Sequence, residues 1–172
     1  MSPELERAIR AWESNYEGLS EEAIDARVRG FTILVNAIAD GRAVSRDEFA
    51  AALGIPAEAA AAAFEGLADT GMQFDDKGDL VGAALTPRPT PHRFAVRGRE
   101  LFAWCALDTL FLPGLLDERA IVESSCPTSE EVIHLELTPD AILERQPEAT
   151  AITVVLPGEG TALARTGPAS PT

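Results

Sequence analysis

Three side chains in this sequence could do chemistry together: the thiols of Cys105 and Cys126 and the carboxylate of Asp108. Cys105 and Asp108 are three residues apart within the apolar run Ala103-Trp104-Cys105-Ala106-Leu107-Asp108-Thr109-Leu110. On a helix that spacing puts both on one face. A thiolate binds soft metals tightly. A carboxylate in apolar surroundings keeps its proton to higher pH and can hand it on near neutrality. Spacing alone leaves a plainer alternative open, with Cys105 a small core residue and Asp108 facing water. Asp108 is the odder of the two, because amid Trp104, Leu107, Leu110 and Phe111 an unpaired charge is costly.

Cys126 lies in Ser124-Ser125-Cys126-Pro127-Thr128-Ser129, a polar stretch that reads as a loop between strands. It is either a structural loop thiol or a second metal-binding thiol, the latter only if folding brings the loop near Cys105. His92 and His134 alternate with apolar neighbours and read as plain strand residues rather than ligands. Two distant cysteines and two histidines make a poor four-ligand zinc set. Neither a phosphate-binding glycine loop nor a serine-nucleophile motif is present.

A hydrophobic fraction of 46% supports a real core. The net charge of −14 argues against nucleic-acid partners, whose phosphates need clustered Lys and Arg, and against anionic membrane surfaces. No apolar stretch reaches the roughly 18 residues a spanning helix requires. The start Met1-Ser2-Pro3-Glu4-Leu5-Glu6 is acidic and unlike a signal peptide. These features predict a cytoplasmic protein whose two thiols stay reduced.

The elements that must position the thiols follow from periodicity. Helices are expected from Pro3 to Tyr16, and from Ser20 to Gly41. A short helix opening on the Ser45/Glu48 capping box should end at Gly54, and an alanine-rich helix should follow from Pro56 to Leu67. Met72-Gln73-Phe74 and Leu80-Val81-Gly82 read as a hairpin around Asp76-Lys77-Gly78-Asp79. Helix, Gly turn, helix and hairpin make a winged-helix-like outline. Pro56–Leu67 carries no Lys or Arg, so packing is its expected role rather than DNA binding.

Leu85 to Pro91 is expected to be an extended linker. His92–Val96 reads as a strand and Arg97–Glu100 as a turn. Leu101 to Leu112 reads as an apolar helix interrupted by Pro113-Gly114. Strands are expected at Ala120–Glu123, Val132–Leu137 and Ala151–Leu156. The predicted fold is α+β: a winged-helix-like helical part, residues 1–85, packed on a small antiparallel-sheet core, residues 86–157, with a disordered tail over 158–172.

The chain resembles the organomercurial (alkylmercury) lyases. The densest match is Leu101-Phe102-Ala103-Trp104-Cys105-Ala106-Leu107-Asp108-Thr109-Leu110 followed by Pro113. Gly41–Arg46, Asp75–Gly82, Leu85-Thr86-Pro87, Ser124-Ser125-Cys126 and Val154-Val155-Leu156-Pro157 extend it. The resemblance implies cleavage of the carbon–mercury bond of alkyl- and arylmercury compounds. Thiols capture the mercury, and an aspartate takes part in delivering a proton to the carbon. By position Cys105 is the first thiol and Asp108 the acid/base, both touching mercury as substrate and product. Cys126 matches a family cysteine usually assigned a structural role. The resemblance further implies no cofactor beyond external thiols. Its implied partners are the organomercury compound, then mercuric reductase or small thiols that accept Hg(II).

The match has one departure. The family's second catalytic cysteine lies shortly after the Val-Leu-Pro segment, where this sequence reads Gly167-Pro168-Ala169, and the chain is C-terminally short relative to the family. That keeps a second expectation beside the enzyme: a non-catalytic binder of mercury, or an inactive remnant, with Cys126 a substitute thiol only after rearrangement.

Overall fold

The computed structural model describes Glu6, Arg10 and residues 17–68 and 71–152. Most of the expected first helix, Pro3–Tyr16, and the tail from Gly158 lie outside the described residues. So does most of the strand expected at Ala151–Leu156, of which Ala151 and Ile152 carry no regular structure.

Helix α1 spans Glu21–Ala39 and is capped by Ser20, whose hydroxyl accepts the Ala23 N–H at 3.2 Å. Its inward stripe buries Leu34, Val35 and Ile38. Helix α2, Arg46–Leu53, opens on the expected capping box, with Ser45 and Glu48 each bonding the other's backbone N–H. Gly54 ends it in the left-handed conformation, φ +65°. Helix α3 is Ala57–Ala68. Strands β1, Gln73–Phe74, and β2, Leu80–Gly82, form the expected hairpin. Its turn is organised by the Asp75 carboxylate, which accepts the N–H groups of Lys77 and Asp79. The rings of Phe49, Phe64 and Phe74 tie α2, α3 and β1 together at centroid distances of 5.6 and 5.4 Å.

The larger sheet has six antiparallel strands in the order β3-β5-β4-β6-β7-β8. They are β3 Leu85–Thr86, β4 His92–Val96, β5 Arg99–Ala103, β6 Ala120–Ser125, β7 Val132–Leu137 and β8 Ile142–Gln146. Phe94, Val96, Leu101, Ala103, Val122 and Leu135 line the covered face. Between β5 and β6 the chain crosses that face as helix α4, Ala106–Leu116, which packs on β4, β5, β6 and α1. The opposite face is polar, with Arg93 paired to both Glu100 and Glu123. One buried cluster runs from Leu34 and Phe49 through Leu85 and Phe94 to Leu137. The mixture of helices with an antiparallel sheet agrees with the α+β expectation. Among the described residues no single helix is long and apolar enough to cross a membrane.

Three local expectations are corrected. The residues Leu101–Ala103 are strand, not helix. The turn before them is only Arg97–Gly98, both at positive φ (53° and 69°), a two-residue hairpin loop that pairs Val96 with Arg99. The strand therefore starts at once and runs with β4 on one side and β3 on the other. Second, α4 does not stop before Pro113. The proline costs one ladder bond, but Leu112, Pro113 and Leu116 are all buried, so packing carries the helix to Asp117. Third, the proline-rich stretch is not all linker. Leu85 and Thr86 form the edge strand β3, with Thr86 fully buried.

Candidate functional site

Cys105 occupies the N-cap of α4 in extended backbone geometry, φ −142° and ψ 167°. Asp108 is three residues on, in the first turn. Its carboxylate reaches back and accepts the Cys105 backbone N–H at 2.8 Å. The pair is thus brought together as cap and first-turn acid rather than as two side chains on a continuous helical face. A carboxylate there suits the electropositive helix start. The sequence signal was a Cys-x-x-Asp, the capping-box pattern with a thiol in place of the hydroxyl.

Both groups of the pair are biased toward their protonated forms. Burial pushes the Asp108 carboxyl up, although hydrogen bonds from Cys105 oppose it. Leu107, Leu110 and Phe111, the neighbours expected to bury it, are themselves exposed, so only part of the expected apolar shell surrounds the half-buried Asp108. Cys105 keeps contact with solvent. Crowding around the sulfur nevertheless raises its thiol, and the nearby Asp108 charge adds to that. The Asp108 N–H, directed at the sulfur, pulls the other way.

Cys126 begins the β6–β7 connection. Its N–H bonds the Glu131 carbonyl and its carbonyl accepts the Glu130 N–H, each at 2.9 Å. Hydrogen bonding by the Ser129 hydroxyl, with help from the Ser129 and Thr128 N–H groups, lowers its thiol below the ordinary value. Cys126 is thus the more easily ionised of the two. Both cysteines are free.

His92, on β4, holds its Nδ1 3.0 Å from the Ser124 hydroxyl, and burial keeps the ring below the usual imidazole range. The sequence carried no signal for that pair. His134 lies within β7 opposite Glu123. Among the described residues no trio of His, Cys, Asp or Glu is gathered to hold a metal ion.

The family model described as MerB: Alkylmercury lyase matches residues 85–167. An alkylmercury lyase of Pseudomonas putida is 38% identical over 127 residues, 74% of this chain and 59% of the relative. One of Bacillus cereus is 36% identical over 129 residues, 75% of this chain and 58% of the relative. The chain thus spans a little under three fifths of the length of these curated relatives. Among solved structures, that of the mercury-bound form of MerB2 superposes with a TM-score of 0.67 at 26% identity, covering 82% of this chain and 68% of that one. The span matched by the alkylmercury lyase family model includes the positions of Cys105, Asp108 and Cys126, and over most of its length this chain is similar to alkylmercury lyases.

Proposed function

We propose that this protein cleaves the carbon–mercury bond of organomercury compounds, with Cys105 as the capturing thiol and Asp108 as the proton donor. The observation that carries the reading is the 2.8 Å bond from the Cys105 N–H to the Asp108 carboxylate, which fixes acid and thiol within one helical turn. In this reading the Cys105 thiolate displaces the anion or thiol on mercury and forms R–Hg–S. Protonated Asp108 then gives its proton to the carbon, the electron pair of the C–Hg bond goes to the new C–H bond, and R–H leaves. Mercury remains as Hg(II) on sulfur beside the carboxylate just formed, whose charge opposes the cation's.

The same reading places the work in the cytoplasm, with low-molecular-weight thiols or mercuric reductase taking the Hg(II) and no cofactor required. It treats residues 1–85 as a winged-helix-like packing unit and residues 86–157 as the lyase-like core. Support for a packing role comes from α3, which has no Lys or Arg to offer nucleic acid.

The test is phenylmercury acetate with excess thiol in heavy water. Singly deuterated benzene should form. Benzene no faster than from a Cys105→Ser control overturns the reading.

A further inference from the structure

Helix α4 is apolar on every side except at Asp108 and Thr109, yet only one of its faces meets the sheet. Thr109, Leu112, Pro113 and Leu116, spaced i, i+3, i+4 and i+7, make that buried stripe. Leu107 and Phe111 lie on the opposite face and remain 44% and 39% exposed. Being four residues apart, they adjoin and form one apolar ridge rather than two scattered side chains. The ridge is continuous with the reacting pair. Phe111 is also three residues beyond Asp108, and long helical side chains lean toward the N-terminus, so its ring leans toward the turn that holds the acid. At the head of the same helix stands Cys105, open to solvent. Leu110 is exposed as well, but it is two residues from Asp108 and lies across the helix from it.

We infer that this ridge seats the organic group of the substrate, with Phe111 the residue that favours aryl and larger alkyl groups over methyl. The inference rests on the proposed carbon–mercury cleavage and names the part of the substrate that the protein selects. Mercury on the Cys105 sulfur and a proton on the Asp108 carboxyl fix the reacting unit, because the carbon must come within hydrogen-bond reach of the acid. The rest of the organic group extends from that carbon past Asp108, and the surface it meets there is Phe111 with Leu107 beside it. A phenyl group sets its edge against the Phe111 ring or stacks on it with an offset, which adds to the burial of apolar area. A methyl group ends at the reacting carbon and gains neither. Once seated, the organic group completes the apolar shell that Leu107 and Phe111 leave open and displaces water from Asp108. The ridge itself makes and breaks no bond, and R–H departs from the same open face.

Two measurements on the full chain test it. The first compares kcat/KM for phenylmercury and methylmercury under excess thiol. Phe111→Ala should lower the phenylmercury value about 10-fold and leave the methylmercury value nearly unchanged. Phe111→Leu should recover part of the loss, and Leu110→Ala should keep the wild-type ratio of the two substrates. The second measurement needs no turnover. In a chain carrying Cys126→Ser and Asp108→Asn, with one thiol and no donor acid, each organomercury compound is partitioned between Cys105 and a small thiol and followed by intact mass. Adding Phe111→Ala should cut the preference for phenylmercury over methylmercury about 10-fold. An unchanged preference overturns the inference, as does an equal loss for both compounds, which would mean that Phe111 packs beneath another segment of the chain. The two readings fail separately. A shifted partition without hydrocarbon release removes the cleavage, whereas release with an unshifted partition removes the ridge alone.

Discussion

The carboxylate of Asp108 accepts the backbone N–H of Cys105 at 2.8 Å, so the acid of the pair also ties down the N-cap residue of the helix that carries it. The protonation state of Asp108 thus bears on chemistry and on local structure together.

The pH dependence of cleavage follows from that coupling. The reactive form needs a thiolate at Cys105 and a proton on Asp108, and both groups are shifted toward protonation. The pair passes through this form after losing its first proton and leaves it on losing the second. The kcat/KM profile should be bell-shaped, and Asp108→Asn should keep only the limb that rises with pH. A variant profile that still falls on the alkaline side would assign the acid elsewhere.

Stability carries a matching signature. The folded-state pKa of Asp108 lies above its ordinary 3.8, so the fold favours the protonated carboxyl. That contribution is fully present below the ordinary value and is lost as pH rises through the folded one. The melting temperature of wild type minus Asp108→Asn should be greatest in acid and should fall as pH rises above 3.8 toward neutrality. A difference that grows with pH would mean that the ionised cap dominates.

A buried clasp joins the small hairpin to the edge of the large sheet. The Thr86 hydroxyl donates to Gln73 Oε1 at 2.6 Å, and Gln73 packs so closely on Gly82 that a Cβ there would lie 2.7 Å from that oxygen. Thr86→Val leaves the buried Gln73 oxygen without its donor and should cost about 1–3 kcal/mol in denaturant unfolding. Gly82→Ala should also destabilise, since the glutamine must leave the hydroxyl to make room. An unchanged midpoint for both would show that the clasp contributes nothing.

Arg97 holds the β4–β5 turn against two helix ends. From a backbone at φ +53°, it donates to Asn36 Oδ1, Asp40 Oδ1, the Leu116 carbonyl and Glu118 Oε1 at 2.8 to 3.3 Å. Much of this cluster faces water, so Arg97→Ala should cost only about 1 kcal/mol, with the loss shrinking in high salt. A salt-independent loss would point to packing of the side-chain stem instead.

The sequence was most readable where local signals agreed with the final environment. Ser20, the Ser45/Glu48 box and Gly54 set helix ends within a residue or two, because caps act through neighbours in the chain. Cys105 and Asp108 were legible as a pair from type and spacing, but their cap geometry was not. Whether Leu101–Ala103 is strand or helix depends on pairing with β3 and β4, which no short window contains. Strand β8 was missed for the same reason. Ile142-Leu143-Glu144-Arg145-Gln146 has no alternation and is exposed throughout, so pairing with β7 alone defines it.

The most direct measurement of the central claim is the initial rate of benzene release from phenylmercury acetate under excess thiol, for wild type, Cys105→Ser and Asp108→Asn side by side. Wild type should turn over, Cys105→Ser should fall to the rate of thiol alone, and Asp108→Asn should be slower by about 100-fold or more. Equal rates for the three proteins would contradict the assignment of Cys105 and Asp108 as the pair that breaks the carbon–mercury bond.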